Sequence, residues 1–213
     1  MAQAARFERE MVRGWLHRPS SPSEIAMALT HGAGSDSNSP LLIAVAEAFE
    51  NYGLTVLRFD LPFRQEGRNP FPAAQPRDRE GIRRAVHELR AVAGGKVVLA
   101  GHSYGGRMSS IAAVETPEIA DVLLLLSYPL HPPRKPAELR TAHFANLRTP
   151  VVFVHGSRDP FGSIDEIRRA TASIPVETQL HEVERAGHNL PPSVARNLPD
   201  LVLNLFPSRD ASP

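Results

Sequence analysis

From residue 25 onward the chain alternates short apolar runs with segments whose apolar residues recur at helical spacing. The runs are Ile25 to Leu29, Leu54 to Phe59, Lys96 to Ala100, Val122 to Leu126 and Val151 to His155, with a further strand expected at Thr178 to Val183. Between them the spacing predicts helices at Pro40 to Tyr52 and Asp78 to Val92. A third helix is opened by Ser163, with Glu166 placed three residues on to complete a capping box, and a last one carries Val194, Leu198, Leu201, Val202 and Leu205. The Asp78 to Val92 pattern is the clearest, because Ile82, Ala85, Val86, Leu89 and Val92 share one stripe and the charges lie opposite. This is the rhythm of βαβ units. VLLLL and VVFV are apolar at every position, as central strands of a mostly parallel sheet are when helices cover both faces.

Ahead of this region, Phe7, Met11, Val12 and Trp15 alternate weakly over Arg6 to His17, which suits one or two antiparallel edge strands, with Pro19 to Pro22 as the turn out. Leu61 to Arg77, with four prolines and one glycine, reads as a long loop. Residues 1–206 are expected to form one domain, followed by a frayed tail over residues 207–213.

Composition narrows the chemistry. A net charge of +1 and the lack of any basic block point away from nucleic acid and anionic membrane partners, toward a small-molecule substrate. No stretch approaches the roughly 20 apolar residues of a membrane span, and no apolar signal segment opens the chain, so the expected location is cytoplasmic. With no cysteine, there are no disulfides, thiolate metal sites or thiol nucleophiles, and covalent catalysis would fall to a hydroxyl.

Such a hydroxyl stands at the end of KVVLAGHSYGG. The apolar strand runs into Gly101-His102-Ser103-Tyr104-Gly105, and Met108, Ile111 and Ala112 then begin a helical stripe. G-x-S-x-G suits a sharp strand-to-helix turn that leaves Ser103 alone at the carboxyl edge of a sheet, where glycines avoid the clash that side chains would make. Serine needs a base, and the base needs a carboxylate to fix its tautomer. Asp159 follows the strand in VVFVHGSRDP, and His188 follows a later strand in RAGHNL. Loops after successive parallel strands gather on one edge, so Ser103, Asp159 and His188 can converge. Among other histidines, His181 lies within the predicted last strand, His102 and His155 belong to buried strands or their ends, and His87 sits on a solvated helix face.

A tetrahedral intermediate also needs two amide donors for its oxyanion. One is expected from Tyr104, the other from Ala33 or Gly34 in the glycine-rich Thr30-His31-Gly32-Ala33-Gly34-Ser35 loop. A phosphate-cradling reading of this loop fails for lack of a P-loop lysine and of dinucleotide-fingerprint spacing.

With HGAGSDSNSP, VLRFDLP, GHSYGGR, HGSRDP and AGHNL in this order, the chain resembles the α/β-hydrolase fold family over residues 25 to 206, and within it a compact bacterial branch related to the testis-expressed hydrolase-like, dienelactone-hydrolase-like proteins. The resemblance implies an α/β-hydrolase fold with Ser103 as nucleophile, Asp159 as acid and His188 as base. Many relatives insert a lid before the acid-bearing strand; here Leu130 to Pro150 leave room for one helix and no lid. The expected cleft is open, bordered by Phe63, Phe71, Arg64 and Arg68 from the Leu61 to Arg77 loop and by Tyr104 and Tyr128. Arg64 and Arg68 would either meet an anionic part of the substrate or form a solvated face.

These expectations describe a serine hydrolase of small esters or thioesters that needs no metal or organic cofactor. Two rivals stand beside it. One is an inactive hydrolase-like interaction module, which a separated Ser103 and His188 would favour. The other is an acyltransferase or perhydrolase using the same triad.

Overall fold

The computed structural model describes residues 4–206, so the tail expected over residues 207–213 lies outside the described residues. Eight strands form one sheet: β1 (Ala5–Arg9), β2 (Val12–His17), β3 (Ile25–Thr30), β4 (Thr55–Phe59), β5 (Lys96–His102), β6 (Val122–Leu126), β7 (Val151–Gly156) and β8 (Thr178–Val183). Their order is β1-β2-β4-β3-β5-β6-β7-β8. The pairs from β4 through β8 are parallel, while β1–β2 and β2–β4 are antiparallel. The weak alternation near the amino terminus is thus an antiparallel edge hairpin, as expected.

The uniformly apolar strands divide their side chains between two cores. On one face Leu99, Leu123, Leu125 and Phe153 pack with Ile82, Ala85 and Leu89 of α3 (Gln75–Ala93), Met108 and Ala112 of α4 (Tyr104–Glu115), and Ile167 of α5 (Ile164–Thr171). On the other, Val98, Ala100, Leu124, Leu126 and Val154 meet Leu42, Val45 and Phe49 of α1 (Pro40–Asn51), and Leu198 and Val202 of α6 (Leu198–Leu203). Strand period two sends successive residues to opposite faces, and both faces are covered. The capping box of α5 is present, with Ser163 and Glu166 bonding reciprocally.

Three expectations are corrected. The Leu61 to Arg77 segment is not one loop: α2 (Pro62–Gln65) forms within it, Pro72–Ala74 make a 3-10 turn, and α3 begins at Gln75. Pro62, Pro72 and Pro76 sit in first turns, where the missing N–H costs nothing, so they start helices rather than interrupt them. Leu130 to Pro150 holds turns and a single 3-10 turn at Phe144–Asn146, with no α-helix. The last helix is a 3-10 stretch, Pro192–Asn197, that passes into the short α6.

Chain order reverses between β3 and β5: β4 lies beyond β3 on one side, and β6 to β8 follow β5 on the other. A crevice opens at such a point, outside the carboxyl ends of the strands. The HGAG loop leaves β3 there and Ser103 leaves β5 beside it, with Thr30 paired to Gly101. Among the described residues, no helix is long and apolar enough to cross a membrane.

Candidate active site

The turn from β5 into α4 is the tightest in the site. Ser103 has φ 51° and ψ −117°, a left-handed backbone that a non-glycine residue adopts only when its surroundings impose it. They do so through glycines. A Cβ on Gly101 would stand 2.5 Å from the Gly105 carbonyl carbon, and one on Gly105 would stand 2.5 Å from the His31 carbonyl oxygen. The Ser103 amide donates to Leu126 at 2.8 Å, and its carbonyl accepts from Arg107 at 3.0 Å. The hydroxyl is thereby fixed at the crevice.

The structure brings Ser103, His188 and Asp159 together. His188 Nδ1 donates to Asp159 Oδ2 at 2.8 Å, which leaves Nε2 as a lone pair to accept from Ser103 Oγ at 2.7 Å. Asp159, 5% exposed, also accepts from the Phe161 amide through Oδ1 at 2.8 Å. The Phe161 ring lies against the His188 imidazole, 4.2 Å between centroids. Two neighbouring histidines, His102 and His155, have structural partners. His102 bonds to the His188 carbonyl at 3.1 Å through Nε2, and His155 bonds to the Gly162 carbonyl at 2.7 Å. Burial drives the His102 pKa down to about 4, so the ring is neutral and donates from Nε2. His87 is solvated, its side chain 82% exposed.

The HGAG loop is held from behind by the FDLPFR segment. The Leu61 amide donates to His31 Nε2 at 3.0 Å, which places the His31 proton on Nδ1, donating to the Gly32 carbonyl at 2.8 Å. Burial lowers the His31 pKa, in keeping with this neutral tautomer. Asp60 Oδ1 accepts from the Ser37 amide at 2.7 Å, and Arg64 Nη2 donates to the Ala33 carbonyl at 3.1 Å. Among the described residues, no acceptor engages the amides of Ala33, Gly34 or Tyr104. All three residues line the cleft with Ser103.

That cleft encloses about 570 Å³. Its walls include Phe71, Gln75, Arg107, Pro129, Arg140 and Phe161, with His188 and Asn189. Of the side chains expected to contact substrate, Phe71 and Tyr104 line it, but Phe63, Arg64, Arg68 and Tyr128 do not. Phe63 is buried, packing edge-on against His31 and Tyr104, and Arg64 is committed to Ala33. Arg68 is exposed beside Glu66. Tyr128 is fully buried against Phe144 and Phe153, and its hydroxyl donates to the Arg140 carbonyl at 2.7 Å. Sequence reasoning missed Arg107, although its place one turn beyond Ser103 on α4 was a usable signal. It missed Arg140 and Phe161 too, which reach the cleft from irregular segments with no pattern. A smaller hollow of about 280 Å³, lined in part by Pro40, Leu41, Leu190 and Pro192, adjoins the cleft across His102 and Asn189. Among the described residues, no cluster of three or more His, Asp or Glu side chains is arranged to hold a metal.

Comparison with known proteins agrees with this architecture. Residues 23–200 match the family model described as the alpha/beta hydrolase domain. A dienelactone hydrolase from Anabaena variabilis superposes with a TM-score of 0.75 at 20% identity, covering 96% of this chain and 97% of that one. An esterase domain from Rhodothermus marinus gives 0.70 at 18%, covering 93% and 96%. A serine hydrolase without a lid from Xanthomonas campestris gives 0.67 at 16%, covering 87% and 85%. At these identities the likeness is one of fold, and together with the family match over most of its length it means that the chain belongs to the α/β-hydrolase family.

Proposed function

We propose that this protein is a serine hydrolase that cleaves small carboxylic esters or thioesters through an acyl-enzyme. The observation that carries the reading is the continuous hydrogen-bonded line from Ser103 Oγ through His188 to Asp159, at 2.7 and 2.8 Å. His188 Nε2 takes the Ser103 proton as Oγ attacks the scissile carbonyl, then returns it to the leaving alcohol or thiol; in the second half it activates water on the acyl-enzyme. Asp159 holds the tautomer and stabilises the imidazolium. The developing oxyanion faces the Tyr104 amide and that of Ala33 or Gly34, donors fixed before reaction and left without acceptors among the described residues.

An interaction module has no use for a serine in strained backbone aligned with a half-buried histidine and a buried aspartate. The open cleft, with no helical cover over residues 130–150, supports water as the acyl acceptor ahead of a sheltered second substrate. A fluorophosphonate probe should label Ser103 in the wild type, and Ser103→Ala should abolish both labelling and hydrolysis of short p-nitrophenyl esters. A folded wild type that is neither labelled nor active would sink the proposal.

A further inference from the structure

Two arginines, Arg107 and Arg140, line the cleft that holds Ser103, and no aspartate or glutamate lines it with them. Several arginines elsewhere have carboxylate partners: Arg79 and Arg83 clasp Glu115, Arg84 pairs with Glu80, and Arg168 with Asp165. Arg107 has no ion-pair partner in the cleft, and its Nε, like Arg64 Nε and Arg83 Nη1 outside the cleft, is shut off from solvent with no acceptor among the described residues. A guanidinium donor deprived of both water and protein acceptor is costly to keep unless something else accepts from it. The residue lies one helical turn beyond the nucleophile, on the same face of α4, so its charge is carried to the reacting side of the helix.

Arg140 arrives from the irregular segment after β6, yet its main chain is fixed at both polar atoms. Its amide donates to the Leu130 carbonyl at 2.8 Å, and its carbonyl accepts from the buried Tyr128 hydroxyl at 2.7 Å. Its side chain makes only a long contact, 3.5 Å, to the Pro129 carbonyl. Burial, and then the positive charge of Arg107, lower the Arg140 pKa, so the two like charges stand close enough to oppose one another. Such a pair, preorganised and unneutralised, is suited to bidentate recognition of an anion.

We infer that Arg107 and Arg140 form a subsite that binds an oxyanion, a carboxylate or a phosphate, carried by the ester substrate away from its scissile carbonyl. The inference rests on Ser103 being the nucleophile of the proposed hydrolase. It places the anion-recognition role on these two arginines, whereas Arg64 and Arg68 serve the loop and the surface.

The test compares charged esters with their neutral methyl-ester counterparts on the full chain. p-Nitrophenyl hemiglutarate carries a carboxylate on the acyl side, p-nitrophenyl 4-phosphonobutanoate a phosphonate there, and 4-acetoxybenzoate a carboxylate on the leaving group. In at least one pair kcat/KM for the charged ester should exceed that for the neutral one by on the order of tenfold to a hundredfold, as for a charge-assisted contact pair. Arg107→Gln and Arg140→Gln should each collapse that ratio toward one, and Arg107→Lys should restore part of it; ratios near one in all three wild-type pairs overturn the subsite. A direct binding measurement separates this from failure of the hydrolase reading. Glutarate or phenylphosphonate should raise the melting temperature of Ser103→Ala, and adding Arg107→Gln should remove the effect. Neutral-ester turnover without any charge preference or anion stabilisation would overturn the subsite alone; anion stabilisation in a chain that no fluorophosphonate labels would overturn the hydrolase alone.

Discussion

The Tyr104 hydroxyl donates to Asp78 Oδ2 at 2.6 Å, tying the residue after Ser103 to the first turn of α3. Asp78 is fully buried and accepts also from the Phe63 amide. The pair therefore braces α4 where its first amide faces the proposed oxyanion site. Removing the hydroxyl in Tyr104→Phe leaves a buried carboxyl short of a donor and should cost about 1–3 kcal/mol of stability by denaturant titration.

Asp78 also gives a pH signature. Burial raises its pKa above the ordinary carboxylate value, outweighing the Tyr104 bond. The folded chain thus holds this proton to higher pH than the unfolded chain does. Its stabilising contribution is fully present below the ordinary pKa and is lost as pH rises through the folded one. Asp78→Asn, which keeps an acceptor for Tyr104, should therefore gain on the wild type as pH rises from about 4. A flat difference between the two melting curves across pH would contradict this.

Asp159→Asn tests the tautomer argument. The amide can no longer accept from His188 Nδ1–H through the same charged oxygen, and the ring is free to present Nε2–H to Ser103. The expected loss in kcat is on the order of 10⁴-fold, with the melting temperature nearly unchanged, the size seen when a triad carboxylate is made an amide. Ester kinetics and a thermal melt on the same preparation decide it.

The strand rhythm, the elbow and the meeting of Ser103, His188 and Asp159 were legible because each rests on local rules: doubly buried strands, glycines that permit a positive φ or close approach, and loops that gather at one sheet edge. The cleft walls were not. Leu61 to Arg77 looked like a substrate-contacting loop because its prolines read as breakers, when Pro62, Pro72 and Pro76 occupy helix first turns and Phe63, on the first of these helices, is buried. Tyr128 follows a strand end, the place where site residues are sought, but Ser127 adopts φ 49° and the tyrosine enters the core. Arg140 is brought to the cleft by two main-chain hydrogen bonds, which leave no trace in periodicity.

Arg64 gives a prediction of a different kind, since it acts on the HGAG loop without lining the cleft. Arg64→Ala removes the donor to the Ala33 carbonyl. The loop amide should then lose its aim, lowering kcat for neutral esters about tenfold with KM little changed, because an oxyanion donor acts in the transition state. An unchanged kcat would mean that His31 and Asp60 suffice to hold the loop.

The buried histidines set how the fold fails in acid. His102 and His143 are each driven down to about 4 by burial, against 6.5 for a solvated histidine. Their pKa values are depressed in the folded chain, so the unfolded chain binds these protons first. Stability is whole above about pH 6.5 and drains away as pH falls toward 4. For His102, 8% exposed, the shift corresponds to on the order of 3 kcal/mol once pH is below both values. His102→Gln keeps a donor for the His188 carbonyl but cannot take a proton. Its stability at pH 7 should be equal to or below that of the wild type, yet it should fall less steeply between pH 6.5 and 4 in urea titrations. Parallel curves for the two proteins would remove His102 from the acid response and leave it to the other histidines that burial depresses, His17, His31, His155 and His143.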